Sequence, residues 1–397
     1  MALSISKKYL AVCERAEKAV CCVFDMATLK RRKILTSTDY NSREFVSVNF
    51  APHSEKSMLV TLTAEPDIRV IIWTWDKAKC FTQQQVGGVS GHMSVTQCSF
   101  HHQDSSTVLV TGNSTYKFYK ISENNILKPT HTSILKKESH ISSNYTCHTW
   151  TPDGKLLVCT DQGDIMLLEM NGDYKMTIAD SPGDGFYIEC ISTYSKGFIV
   201  AGDNGRMIIY EKAEDPKIQY TRSIALPQAE KIDKGEHQEL LASVMSSRIR
   251  CMALSSTDDC IIFTTENNQI MKVNVNLERP SDESKYEYVV TPFHSRSISG
   301  MDICIKKNLI ATCSIDKTVR IWNNSTPPTL EICELFNDEA YSVAFHPSGF
   351  HLIVGFTDRV RMMNVFSKGL KPYNTIAIKA CREIRFSNGG QLFACAS

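Results

Sequence analysis

The segment that decides the architecture reads His294-Ser295-Arg296, then Leu309-Ile310-Ala311-Thr312-Cys313-Ser314-Ile315-Asp316-Lys317-Thr318-Val319-Arg320-Ile321-Trp322. A histidine, a hydroxyl inside a β-branched run, a turn aspartate and an aromatic closing a second run can satisfy one another's hydrogen bonds. Asp316 belongs in the tight turn between two strands, where its carboxylate can hold the His294 ring in one tautomer. The other ring nitrogen then meets the Thr312 hydroxyl, which accepts from the Trp322 indole N–H. Each group is polar and would be buried, so each needs a partner. The same His–Asp–Thr set could be read as a hydrolase triad. Against that reading, Thr312 falls mid-strand behind Trp322 with no oxyanion donor nearby, whereas a triad needs an accessible nucleophile. The set reads as a structural tetrad.

Outward from this segment the pattern repeats. A short apolar run, a Pro/Asp/Ser/Gly turn and a second apolar run recur most clearly at Val48–Pro52, Thr149–Lys155 and Ala344–Gly349. Degenerate copies centre on Ile5, Phe100, Ile191, Leu254, Ile303 and Phe386. The mean spacing is about 48 residues, close to the roughly 40–45 of a WD40 propeller blade, which the opening segment also resembles. The expected fold is therefore all-β, a WD40-type β-propeller of about seven to eight four-stranded blades with an incomplete extra blade at the C-terminus. Counted strand by strand, eight units run from Met1 to about Ile376, and a ninth begins at Cys381 and stops after two strands. Such an ending reads as a short isoform or an incomplete gene model, because an open sheet edge is a liability. Residues 211–247 are the most polar stretch and read as an outer strand (Ile218 to Ala225), a long exposed loop and a short helix near Gln238 to Val244.

Composition sets limits on function. Of 397 residues, 42% are hydrophobic and 22% charged, which allows a large core, and the net charge of +1 demands neither nucleic acid nor a membrane as partner. No apolar run is long enough to span a bilayer, and Met1 to Leu10 lacks a secretory signal pattern. Fifteen cysteines, scattered singly along strand-like runs, do not form a disulfide framework. Most read as small buried hydrophobes of a reducing compartment. No zinc spacing, phosphate loop or nucleophile elbow is present, so no cofactor, metal or catalytic residue is expected.

Three further features are candidates. Thr63, Asp67 and Trp73 repeat the tetrad spacing with Phe45 in place of the histidine, a partial tetrad; Gly91-His92 precedes another blade without a matching tryptophan. These lapses predict that most blades hold together by apolar packing rather than polar networks. His101-His102 with Asp104 reads as a solvated turn rather than a metal corner. Lys30-Arg31-Arg32-Lys33 is the sharpest charge run, either a solvated outer strand or a contact for an acidic partner such as a tubulin tail, a phosphate or anionic lipid.

Beyond the generic blade pattern, particular segments carry a resemblance. Ala340-Tyr341-Ser342, His346-Pro347-Ser348-Gly349, Val354-Gly355-Phe356, Cys381-Arg382-Glu383, Phe386-Ser387-Asn388-Gly389-Gly390 and Leu309–Ser314 resemble the amino-terminal region of the cilia- and flagella-associated protein 57 family, WD-repeat proteins of motile axonemes. Ala2–Ser6 and Thr193–Gly197 are similar too. The resemblance implies tandem propellers followed by a coiled coil, and a non-catalytic scaffold on doublet microtubules that helps to place inner dynein arms. It implies a first propeller over 1–290, lacking the family's first blade, and further blades over 291–397 that complete it or begin a second. Expected partners are proteins of the axoneme, with no nucleic acid and no membrane insertion, in the cytoplasm and cytoskeleton of a cilium or flagellum. A general cytosolic WD40 adaptor is the alternative, and a propeller enzyme a third reading for which no convergent residues can be named.

Overall fold

The computed structural model describes the whole chain except residues 53–56, 88–93, 102, 132–143, 180, 184, 214–219, 227–246, 276–285, 291 and 368. Among the described residues there are eight four-stranded antiparallel sheets and one two-stranded sheet. Blade 1 runs from the strand Ala2–Leu3 to the strand Arg31–Leu35, blade 2 from Phe45–Phe50 to Lys79–Gln85, and blade 3 from Val95–Phe100 to Leu127–His131. Blade 4 runs from Tyr145–Trp150 to Tyr174–Thr177, blade 5 from Ile188–Tyr194 to Tyr220–Leu226, and blade 6 from Ile249–Leu254 to Tyr286–Tyr288. Blade 7 runs from Ile298–Ile303 to Thr329–Leu335 and blade 8 from Ala340–Phe345 to Gly369–Ile376; Glu383–Phe386 pairs with Phe393–Ala396. The only helical turns among the described residues are Trp75–Lys77 and Asp203–Gly205. The fold is all-β, as expected. The polar stretch contributes the strand Tyr220–Leu226, while the helix expected near Gln238 to Val244 lies outside the described residues.

The chain divides into two compact units, Met1–Phe263 with Asn274–Lys285, and Thr264–Val273 with Tyr286–Ser397. The dividing line falls within blade 6.

The sequence of a middle strand explains why each unit stacks its blades face to face. Successive side chains of a strand point to opposite faces, so a strand buried on both faces reads as an unbroken apolar run. Leu156–Thr160 of blade 4 is such a run, buried throughout. Leu156 and Val158 pack with Leu109, Tyr116 and Phe118 of blade 3. Leu157 and Cys159 pack with Phe198, Val200 and Ile208 of blade 5. In the second unit Ala311, Val319 and Ile321 of blade 7 meet Leu352, Val354 and Phe356 of blade 8 in the same manner. Fully burying one Val, Leu or Ile contributes about 1.5–3 kcal/mol, so these seams dominate cohesion within each unit.

The backbone repeats more faithfully than the sequence. In blades 2, 3, 4, 5, 7 and 8 the pairing of first and second strands shifts register once, near the start of the first strand. Such a bulge bends the strand and re-aims its side chains.

Polar side chains supplement the apolar seams. Each first strand is an edge strand, and in blades 3, 4 and 8 some of its backbone groups are met by side chains from the preceding blade. Cys98 N–H donates to Ser47 Oγ (3.1 Å), His148 N–H to Gln97 Oε1 (2.9 Å) and Phe345 N–H to Asp302 Oδ2 (2.7 Å). Ser299 Oγ donates to the Ala340 carbonyl (2.5 Å), and Ser342 Oγ to that of Cys381 (2.8 Å). An unmet edge group in a buried seam would cost about 1–3 kcal/mol, which is why polar residues persist at these positions.

Candidate functional site

His294, Thr312, Asp316 and Trp322 converge in the second unit. The second strand of blade 7, Leu309–Ser314, carries Thr312, and the third, Thr318–Asn323, carries Trp322; Asp316 lies in the turn between them. His294 Nδ1 is 3.0 Å from Asp316 Oδ2 and its Nε2 is 2.8 Å from Thr312 Oγ1. Trp322 Nε1–H donates to Thr312 Oγ1 at 2.8 Å. A carboxylate only accepts, so the Nδ1 hydrogen faces Asp316 and Nε2 accepts the Thr312 hydroxyl hydrogen.

The set is larger than four. Thr318 donates to Asp316 Oδ1 through both its N–H (2.8 Å) and its hydroxyl (2.6 Å), and Ser295 N–H donates to Oδ2 (2.9 Å). Burial alone would raise the Asp316 carboxyl, but the bonds from His294 and Thr318 outweigh it and hold the group well below the usual carboxylate range. Arg320, 2% exposed, fixes the approach of the chain to His294 by donating to the Pro292 carbonyl at 2.5 Å. Thr312 is 7% exposed and its hydroxyl is engaged by both His294 and Trp322, so it is not presented as a nucleophile. The arrangement fixes loops.

Blade 2 departs from its expected pattern. Trp73 Nε1–H donates to Thr61 Oγ1 at 2.8 Å, not to Thr63. Thr63 instead donates to the Asp67 carbonyl (2.6 Å) and accepts the Arg69 N–H (2.6 Å), while the Asp67 carboxylate takes the Arg69 guanidinium at 2.9 Å. The reason is turn length. The connection between Met58–Thr63 and Arg69–Thr74 is two residues longer than the one between Leu309–Ser314 and Thr318–Asn323. Equal spacing in sequence therefore places Thr63 two residues too far along its strand.

A second network escaped the sequence reading. Trp150 Nε1–H donates to Ser99 Oγ (3.0 Å), Ser99 Oγ is 2.7 Å from His148 Nε2, and His148 Nδ1 is 2.8 Å from Thr111 Oγ1. The order, indole to hydroxyl to imidazole to acceptor, copies that of blade 7 with a neutral threonine in the aspartate's place. Complete burial pushes the His148 ring down to about 3, so it is neutral at physiological pH. Its members belong to blades 3 and 4, so no search within one repeat could collect them. The available signal was the pair His148 and Trp150 on one strand, two residues apart and hence on one face.

The outer strand Arg31–Leu35 of blade 1 carries the basic run. Arg32 bonds the Asp25 carboxylate at 2.7 Å, while Lys30 and Arg31 are exposed and Lys33 half-buried. In the same unit the first strands of blades 2 to 6 border a cavity of about 510 Å³ lined by Gln97, Thr146, Cys147, Glu189, Cys190 and Arg250 among others. Arg250 is 3.2 Å from Glu189 across it. His101 is buried rather than solvated, its Nδ1 accepting the N–H groups of Gln103 (3.1 Å) and Asp104 (3.0 Å); His92 and His102 lie outside the described residues.

The sequence profile of the WD40 family (WD domain, G-beta repeat) matches residues 287–323, a span that holds the whole tetrad. Those residues form a WD40 repeat. The chain also resembles particular relatives over nearly its whole length. It is 36% identical to cilia- and flagella-associated protein 57 A of Tetrahymena thermophila across 91% of this chain and 28% of that protein. It is 29% identical to cilia- and flagella-associated protein 57 of Mus musculus across 100% of this chain and 34% of that protein. A third relative, cilia- and flagella-associated protein 57 C of Tetrahymena thermophila, is 27% identical across 100% of this chain and 35% of its own length. The chain thus spans about a third of the length of the curated relatives it matches.

Proposed function

We propose that the chain is a non-catalytic interaction scaffold of the motile cilium or flagellum, located on the axoneme, where it helps to assemble or regulate inner dynein arms on doublet microtubules. The observation that carries this reading is the end-to-end similarity to proteins named for association with cilia and flagella. The architecture suits the role. Stacked sheets display many loops, and the buried polar groups of the His294 and His148 networks are spent on internal bonds rather than aimed at a substrate. In this reading His294, Thr312, Asp316 and Trp322 serve structure alone. Residues 1–290 act as one propeller and 291–397 as further blades. Lys30, Arg31 and Lys33 meet an acidic protein surface, with Arg32 held in place by Asp25.

The test is fractionation of ciliated cells expressing the tagged protein. It should stay with axonemes or leave them together with dynein complexes on salt extraction. Recovery only from a soluble pool free of cilia overturns the proposal.

A further inference from the structure

Two cysteines of blade 1 share one rung of its sheet. Cys13, in the strand Tyr9–Glu14, lies directly opposite Cys21, in the strand Val20–Asp25. On the same ladder the Met26 N–H bonds the Lys8 carbonyl, which makes Lys8 and Met26 a hydrogen-bonded pair. Pairs along an antiparallel ladder alternate in type, so Val12 and Cys22 form a hydrogen-bonded pair and Cys13 and Cys21 a non-hydrogen-bonded one. Residues at such a rung lie about 4.5 Å apart at Cα and closest at Cβ. A disulfide requires about 4.4–6.8 Å at Cα and about 3.5–4.5 Å at Cβ, so this rung can be bridged with little backbone movement.

Blade 4 supplies a comparison within the same molecule. Cys147 and Cys159 are also direct partners, but the Thr151 N–H to Lys155 carbonyl bond places them on a hydrogen-bonded rung, where the side chains stand further apart. Both are buried, whereas Cys13 is partly exposed and only its partner Cys21 is buried. The two blade 1 thiols already interact. The side-chain interaction with Cys21 lowers the Cys13 pKa in spite of burial, and the same interaction, with burial, raises that of Cys21. Cys13, partly exposed where Cys21 is buried, is the thiol that a solute reaches first, which makes it the nucleophile of the pair and Cys21 the resolving thiol.

We propose that Cys13 and Cys21 form a reversible two-electron redox site that reacts with a hydroperoxide. The Cys13 thiolate attacks the peroxide oxygen, the O–O bond breaks, and Cys13 becomes a sulfenic acid as the peroxide's other oxygen leaves as water or an alcohol. The Cys21 sulfur then attacks the Cys13 sulfur and displaces hydroxide, which takes the Cys21 proton. One peroxide is reduced, two thiols become one disulfide, and a water is released in the second step. The bridge would form within the seam where Leu35, Phe45 and Trp73 join blades 1 and 2, so it reports on the state of that seam.

Peptide mapping of the whole protein tests this. The protein is treated with a small excess of hydrogen peroxide, its remaining thiols are alkylated, and it is cut with trypsin. Arg15 and Lys18 lie between the two cysteines, so a bridge joins two tryptic peptides. The expected product is a joined pair lighter by two hydrogens than its reduced halves, fragmenting to Cys13–Cys21 and released by a dithiol reductant. It persists in Cys22→Ser, is lost in Cys21→Ser, and leaves Cys147 and Cys159 alkylated. Recovery of Cys13 alkylated or as an unlinked sulfinic acid, while the exposed Cys80 and Cys251 are oxidised, overturns the proposal. So does a bridge from Cys13 to any other cysteine, and both results are read on the unmutated protein.

Discussion

Asp316 is the residue on which the blade 7 network turns, because it accepts from His294, Ser295 and both donors of Thr318. Asp316→Asn keeps the shape but sets an amide N–H₂ against those donors. Denaturation of the variant should show a loss of about 2–4 kcal/mol in the second unit, with faster amide exchange in Leu309–Asn323. The carboxyl's folded pKa lies below its unfolded value near 3.8, so its stabilisation is complete above that pH and is lost as pH falls through and below it. The variant should lack that acid-dependent loss. His148 gives a second pH signature. Unfolded, its ring takes up a proton near 6.5, and folded near 3, so the unfolded state binds more protons between those values and stability falls as pH drops through the window. At about 1.4 kcal/mol per unit, the stability gap between the parent and His148→Gln should narrow by about 2 kcal/mol from pH 7 to pH 5. A constant gap in denaturant titrations at the two pH values would mean that the folded ring takes up its proton over the same range as the unfolded one. The blade 7 set was legible because four residues of one repeat fall within a short window. The His148 set was not, because its hydroxyls come from the neighbouring blade.

At the scale of strands and blades, the repeat survives where its letters do not. Phe45 replaces a histidine and Thr63 mimics a tetrad hydroxyl, yet the sheet of blade 2 keeps the bulge and pairing of blade 7. Trp73 pairs with Leu59 as Trp322 pairs with Ile310, and in both the bonded hydroxyl lies two residues further along, at Thr61 and Thr312. Register decides the partner, and register depends on a turn length that spacing alone does not reveal. Seam polarity was also hidden, since a lone Gln97 or Asp302 in a strand reads as a solvent-facing residue. Gln97 instead receives the His148 N–H, so Gln97→Ala leaves a donor without its partner at the seam of blades 3 and 4. The expected cost is about 1–3 kcal/mol in chemical denaturation, whereas a solvent-facing glutamine would cost less than about 0.5.

For the molecule as a whole, the all-β repeat and its eight four-stranded units were legible because apolar runs and turn residues recur at a regular interval. The proposed function rests on resemblance, since a scaffold surface would carry no chemical signature comparable to a catalytic set. The one strong charge feature, on the outer strand of blade 1, turns the scaffold reading into a measurable quantity. Lys30→Glu, Arg31→Glu and Lys33→Glu together reverse the exposed part of that strand and leave the Arg32–Asp25 pair intact. Co-sedimentation of the purified protein with salt-stripped axonemes, against increasing salt, tests the account most directly. The account predicts saturable binding that weakens as salt screens the contact, and a loss of about tenfold or more in affinity for the triple variant at low salt. Absence of saturable binding, or binding indifferent to both salt and charge reversal, would contradict it.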